Sequence, residues 1–150
     1  MKIPDHIREY LQLGIGLGMG THDAALKPEY QRILGCQMVD NNHIKFYFDL
    51  PTARNTIANL EDNGTVAIVG CSNTFESYQL KGKAVRWAKV TADESNSMDE
   101  YMEQFSVAMQ VFGLPKDLVY KYPHTEMMAV LMEVIDIFEQ TPKVGTGGKI

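Results

Sequence analysis

Six side chains in this sequence are candidates for holding an anionic or polar ligand. Arg54 and Asn55 follow Thr52 at the start of a helix opened by Pro51. The first turn of a helix attracts anions, because its N–H groups lack partners and its dipole end is positive. Thr52 can cap that helix or donate to a bound anion. Gln79 and Lys81 lie two residues apart in a strand-like run, so they share a face. An amide such as Gln79 can both donate and accept at a ligand edge. Arg32 is the other cation, close to an earlier hairpin. Each has a plainer role open to it: a solvated helix arginine, a surface strand residue, a simple helix cap.

Other chemistries lack their residues. Gly14-Ile15-Gly16-Leu17-Gly18-Met19-Gly20 has the look of a dinucleotide-binding loop, yet the third required glycine falls on Met19 or Thr21, and no helix follows. Gly145-Thr146-Gly147-Gly148-Lys149 is followed by Ile150 where a phosphate loop needs Ser or Thr. His6, His22, His43 and His124 are scattered without helical ligand spacing, so no metal site is expected. No Gly-x-Ser-x-Gly elbow occurs. No general acid or base stands out. Cys36 and Cys71 lie in apolar, strand-like runs and read as buried, reduced core thiols.

The elements that must position these residues follow from periodicity. A short helix runs from Pro4 to about Leu13, with Ile7, Tyr10 and Leu11 on one face. Alternation from Gly14 to Gly20 predicts a strand, its glycines marking close approach by another backbone or a ligand. Tyr30–Val39 and Ile44–Leu50 flank the turn Asp40-Asn41-Asn42-His43 and form a hairpin. A helix from Pro51 closes at Asn63-Gly64, followed by strands over Thr65–Cys71 and Tyr78–Val90. Asp93–Phe112 is the clearest helix, its stripe of Met98, Met102, Phe105, Met109 and Phe112 reading as core packing. Pro115–Tyr122 is a short second helix. In the last strand, His124–Phe138, the first half is apolar on both faces and so needs a second covering layer. About six strands with helices set between them favour an antiparallel barrel over a doubly wound sheet.

With 150 residues the chain is expected to be one domain, residues 1–150. The net charge of −5 argues against nucleic acid and against an anionic membrane surface as partners. No apolar run reaches membrane-spanning length and the start lacks a signal core, so a cytoplasmic protein is expected.

Several segments, in order, resemble the pyridoxamine 5′-phosphate oxidase-like FMN-binding split-barrel family. These are Gly20-Thr21-His22-Asp23 with Pro28, Arg32 and Gly35–Val39; Asn59–Ala67; Tyr78–Ala84; and Phe138–Pro142 with the glycine-rich tail. The similarity spans nearly the whole chain. It implies a mainly β fold with α-helices, a six-stranded antiparallel Greek-key split barrel with flanking helices. It also implies a homodimer with FMN at the subunit interface, acting as an oxidoreductase on a small-molecule substrate. FMN chemistry is two-electron transfer, with the protein supplying placement and electrostatics. On this resemblance Arg54, Asn55, Gln79, Lys81, Arg32 and Thr52 are the cofactor-binding candidates, the cations and amides facing the phosphate or the ring. One departure stands out: many members carry a lysine three residues before the Asn59-Leu60 pair, and here that residue is Thr56. A split-barrel binding protein without flavin turnover, taking another anionic ligand, haem or a deazaflavin, is the alternative.

Overall fold

The structure, a computed structural model, describes all 150 residues. Helix α1 (Asp5–Leu11) leads into strands β1 (Gly16–His22), β2 (Pro28–Ile33), β3 (Cys36–Met38) and β4 (His43–Asp49). A 3-10 turn over Leu50–Thr52 precedes helix α2 (Arg54–Asn63). Strands β5 (Thr65–Cys71) and β6 (Ser77–Lys89) follow, then helix α3 (Ala92–Met109), the short helix α4 (Lys116–Val119) and strand β7 (Met127–Glu139). Glycine ends α2, since Gly64 takes φ +64. Helix α3 starts one residue before the expected Asp93, and its N-cap Thr91 forms a reciprocal capping box with Glu94.

All strand pairs are antiparallel, in one seven-stranded sheet ordered β2-β1-β5-β6-β7-β4-β3. The extra strand arises because the expected Tyr30–Val39 strand is two pieces. The chain kinks at Leu34–Gly35, where Gly35 takes φ +143. There the Leu34 N–H donates to the Tyr47 carbonyl at 2.7 Å, and the Tyr47 N–H donates to the Gly35 carbonyl at 3.1 Å. One kinked segment thus gives β2 to one edge of the sheet and β3 to the other, which curls the sheet toward a barrel without a continuous closing ladder. Two irregularities in β6, at Lys81/Gly82 and Ala84/Arg86, add to the bend.

Alternate residues fill the interior. Leu17 and Met19, Ile44, Phe46 and Phe48, Val66 and Ile68, and Val130, Met132 and Val134 belong to one buried cluster of 26 residues. The second layer required by β7 is α3: Met98 packs with Tyr47 and Ala129 on the opposite face. Met102 and Phe105 join the main core, whereas Phe112 is exposed, in the turn beyond the helix. Both cysteines are free. Neither is fully buried: Cys36 is half-buried, with desolvation pushing its thiol up to about 12, and Cys71 is exposed, because its side chain lies on the outward face of β5. The tail folds back on β7, with the Ile150 N–H donating to the Ile137 carbonyl at 2.9 Å. No helix is long and apolar enough to cross a membrane.

Candidate functional site

A cleft of about 280 Å³ opens where β2, the end of β4, the 3-10 turn and the segment after α4 meet. Arg32 lines it from the outward face of β2. Its guanidinium carbon sits 4.7 Å from the ring centre of Phe105 on α3 and 4.9 Å from that of Tyr122. Two aromatic faces hold a cation in this way through their quadrupoles. The Arg32 Nε and Nη2 atoms are buried and have no hydrogen-bond partner, and no carboxylate pairs with the charge. Buried guanidinium nitrogens without an acceptor are costly, although the arginine as a whole is only half-buried.

The cleft floor is a chain of hydrogen bonds. Gln31 Nε2 donates to Thr52 Oγ1 at 2.9 Å, and that hydroxyl donates to the Asp49 carbonyl at 2.9 Å. Thr52 therefore steadies the 3-10 turn and does not cap α2, whose N-cap residue is Ala53. Asp49 is 2% exposed. Its Oδ1 accepts from the Thr125 N–H at 2.7 Å, the Thr125 hydroxyl at 3.1 Å and the Glu126 N–H at 3.4 Å. Its Oδ2 is buried with no partner. Asp49 thereby ties down the segment that carries Tyr122 and Pro123 over the cleft.

The remaining candidates lie around this cleft rather than in it. Arg54, in the first turn of α2, is exposed and forms no ion pair. Asn55 Nδ2 donates to Glu29 Oε2 at 3.3 Å. Thr56 is 1% exposed, with its hydroxyl unpartnered. The side chain at that position points into the body of the protein, not toward solvent. Gln79 and Lys81 lie on the outward face of β6, and the Lys81 ammonium sits 4.8 Å from the Phe138 ring centre.

The sheet register puts Arg32 and Gln79 on one cross-strand row: Arg32 pairs with Gly18, Gly18 with Val69, Val69 with Gln79. Paired residues share a face, but three strand spacings put the two about 14 Å apart. Within one subunit, then, Gln79 does not reach the cleft. On this face a Cβ on Gly18 would lie 2.6 Å from the Tyr30 ring, whereas one on Gly20 would meet only the Glu29 carbonyl oxygen, at 4.0 Å. Gly14, just before β1, instead allows α3 to approach, since a Cβ there would meet the Gln104 backbone at 2.3 Å.

Asp49, Gln31 and Tyr122 were not singled out from sequence. The partners that bury Asp49 lie 76 and 77 residues away, so no local pattern marks it. The arrangement leaves N–H donors of Arg32 without acceptors at the edge of a mainly polar cleft.

No family model matches the chain, and no curated protein matches it. Solved structures do. HupZ from Group A Streptococcus superposes with a TM-score of 0.58 at 18% identity, covering 97% of this chain and 99% of that one. A candidate pyridoxamine 5′-phosphate oxidase from Lactobacillus delbrueckii gives 0.58 at 13% identity over 91% and 93%. An F420 reductase gives 0.52 at 13% over 90% and 98%. The fold is that of the pyridoxamine 5′-phosphate oxidase-like proteins: mainly β, an antiparallel sheet with flanking helices, as the resemblance implied.

Proposed function

We propose that this chain binds FMN in the Arg32 cleft and serves as an FMN-dependent oxidoreductase for a small-molecule substrate, in a cytoplasmic homodimer. The observation that carries this reading is the buried, unpaired edge of Arg32 between Phe105 and Tyr122. Bound FMN supplies two-electron transfer. Arg32 donates to its acceptors through Nε and Nη2. Tyr122 and Pro123 wall one side of the cleft. The phosphate lies toward the first turn of α2, with Arg54 and Asn55 beside unpaired helix N–H groups.

Two considerations support the homodimer. Gln79 and Lys81 can share a ligand with Arg32 only across a subunit seam, given their separation on the sheet. The face between them is apolar and open: Tyr30 is 63% exposed and Val69 42%. Such a face is a candidate for covering by a second copy.

A second reading, binding without flavin turnover, is favoured by Thr56. A buried, uncharged residue there takes the place of the lysine that the resemblance leads one to expect and leaves Arg54 as the turn's one cation, which suits another anionic ligand, haem or a deazaflavin; an F420 reductase shares the fold. The visible spectrum of the purified protein, followed by titration with FMN and with haem, separates the readings. Flavin bands or saturable FMN binding support the first, with Arg54→Ala lowering FMN affinity far more than stability. A Soret band with no FMN binding refutes it. Sedimentation tests the dimer, and a monomer would remove the shared site.

A further inference from the structure

We infer that the groove where β4, β7 and the second half of β6 meet the first turn of α3 is a second binding site, for a small monoanion with an apolar body. The groove measures about 280 Å³ and shares no lining residue with the Arg32 cleft. It lies toward the β3 end of the sheet order, whereas Arg32 stands on β2 at the other end. Its occupation therefore does not depend on flavin binding.

The strand register explains the hollow. Tyr47, Ala129 and Ala88 form one cross-strand row, and Lys45, Leu131 and Arg86 form the next. Paired residues share a face. Met98 on α3 packs with Tyr47 and Ala129 but leaves Ala88 exposed. Two alanines beside a leucine thus make a low apolar floor, rimmed by longer side chains. The β6 irregularity at Ala84/Arg86 leaves Val85 unpaired next to Arg86 and 55% exposed, which extends the apolar surface.

Charge selects the ligand. Three cations line the groove: Lys45, Arg86 and Lys89. Lys45 is committed to Glu94 at 2.6 Å and Lys89 to Glu126 at 2.5 Å. Arg86 forms no ion pair. One positive charge is left over here, on a chain whose net charge is −5. A neutral molecule would leave that charge unused, and a dianion would exceed it. An alkyl carboxylate matches it. The hydrocarbon covers Ala88, Ala129 and Leu131, and the carboxylate meets the planar fork of Arg86.

Trp87 is the chain's one tryptophan and lines this groove, so its emission reports occupancy. The test is a titration of that emission with octanoate, with acetate (no apolar body) and with octanamide (no charge). Octanoate is expected to change the emission saturably with a Kd of about 10⁻⁴–10⁻³ M, the strength open to a ligand of about ten heavy atoms. Acetate and octanamide should bind more weakly by about 10-fold or more, and Arg86→Gln should weaken octanoate by about 10-fold, the size of one hydrogen bond to a charged group. The melting temperature of Arg86→Gln should match wild type, because Arg86 has no ion pair to lose. Arg32→Met should bind octanoate as wild type does. No saturable change with octanoate overturns the inference, as does octanamide binding as tightly as octanoate. Octanoate binding that survives Arg86→Gln but is lost in Arg32→Met puts the carboxylate in the other cleft and overturns it too.

Discussion

Replacing Arg32 by Met should cost the protein its ligand and almost none of its stability. Methionine fills a similar volume between Phe105 and Tyr122 but removes the charge and both unpaired N–H donors. On the stability side, two cation–π contacts disappear, each worth about 0.5–2 kcal/mol. Against this, two buried guanidinium nitrogens with no acceptor are removed, a relief of about 1–3 kcal/mol by the measure of unsatisfied buried polar groups. The two nearly cancel or favour the variant, so the melting temperature should hold or rise by about 2–4 °C per kcal/mol gained. On the binding side, two charge-assisted hydrogen bonds at about 1.5–3 kcal/mol each are lost, roughly 10²–10⁴-fold in affinity. Calorimetric titration with FMN and a thermal melt read the two quantities separately. A variant that melts well below wild type yet binds FMN within about twofold of it would refute the reasoning, because Arg32 would then be a structural strut and not a ligand group.

Three further outcomes are expected. A Cβ on Gly82 would lie 1.9 Å from the Glu133 carbonyl oxygen, so Gly82→Ala must break the β6–β7 register and should show as loss of soluble protein or a much lower melting temperature. Burial raises the Glu94 carboxyl, but hydrogen bonds from Lys45 at 2.6 Å and from the Thr91 N–H at 2.8 Å outweigh it and hold the carboxyl below its usual range. A depressed acid stabilises the fold above its unfolded pKa and loses that contribution as pH falls through the folded value. The stability difference between wild type and Lys45→Met should therefore shrink on acidification below the ordinary carboxylate range, and a pH-independent difference would contradict the pairing. Of the two thiols, exposed Cys71 should react with a disulfide dye in the native state, while Cys36, its thiol raised to about 12, should react only on unfolding.

The order of elements, the barrel-like class and the inward residues were legible because they rest on local periods. Alternation in Ile44, Phe46 and Phe48 and the 3.6-residue stripe of Met98, Met102 and Phe105 each mark a face that water must leave. Arg32 was visible as a cation, and Arg54 and Asn55 as the start of a helix. The sequence also implied a single strand from Tyr30 to Val39. The kink at Gly35 depends on Tyr47, twelve residues on, which holds both Leu34 and Gly35. Local propensity cannot see such a partner.

The site itself was decided only in three dimensions. Whether an arginine is solvated or stripped of water depends on what covers it, and Phe105 and Tyr122 come from segments more than seventy residues along the chain. Asp49 reads as an ordinary acid before a turn until Thr125 and Glu126 arrive to bury it. Sequence thus determined which surfaces are apolar, a property of each residue and its near neighbours. Tertiary structure decided which polar groups are left wanting a partner, because desolvation is set by everything packed around a group and not by the chain on either side of it.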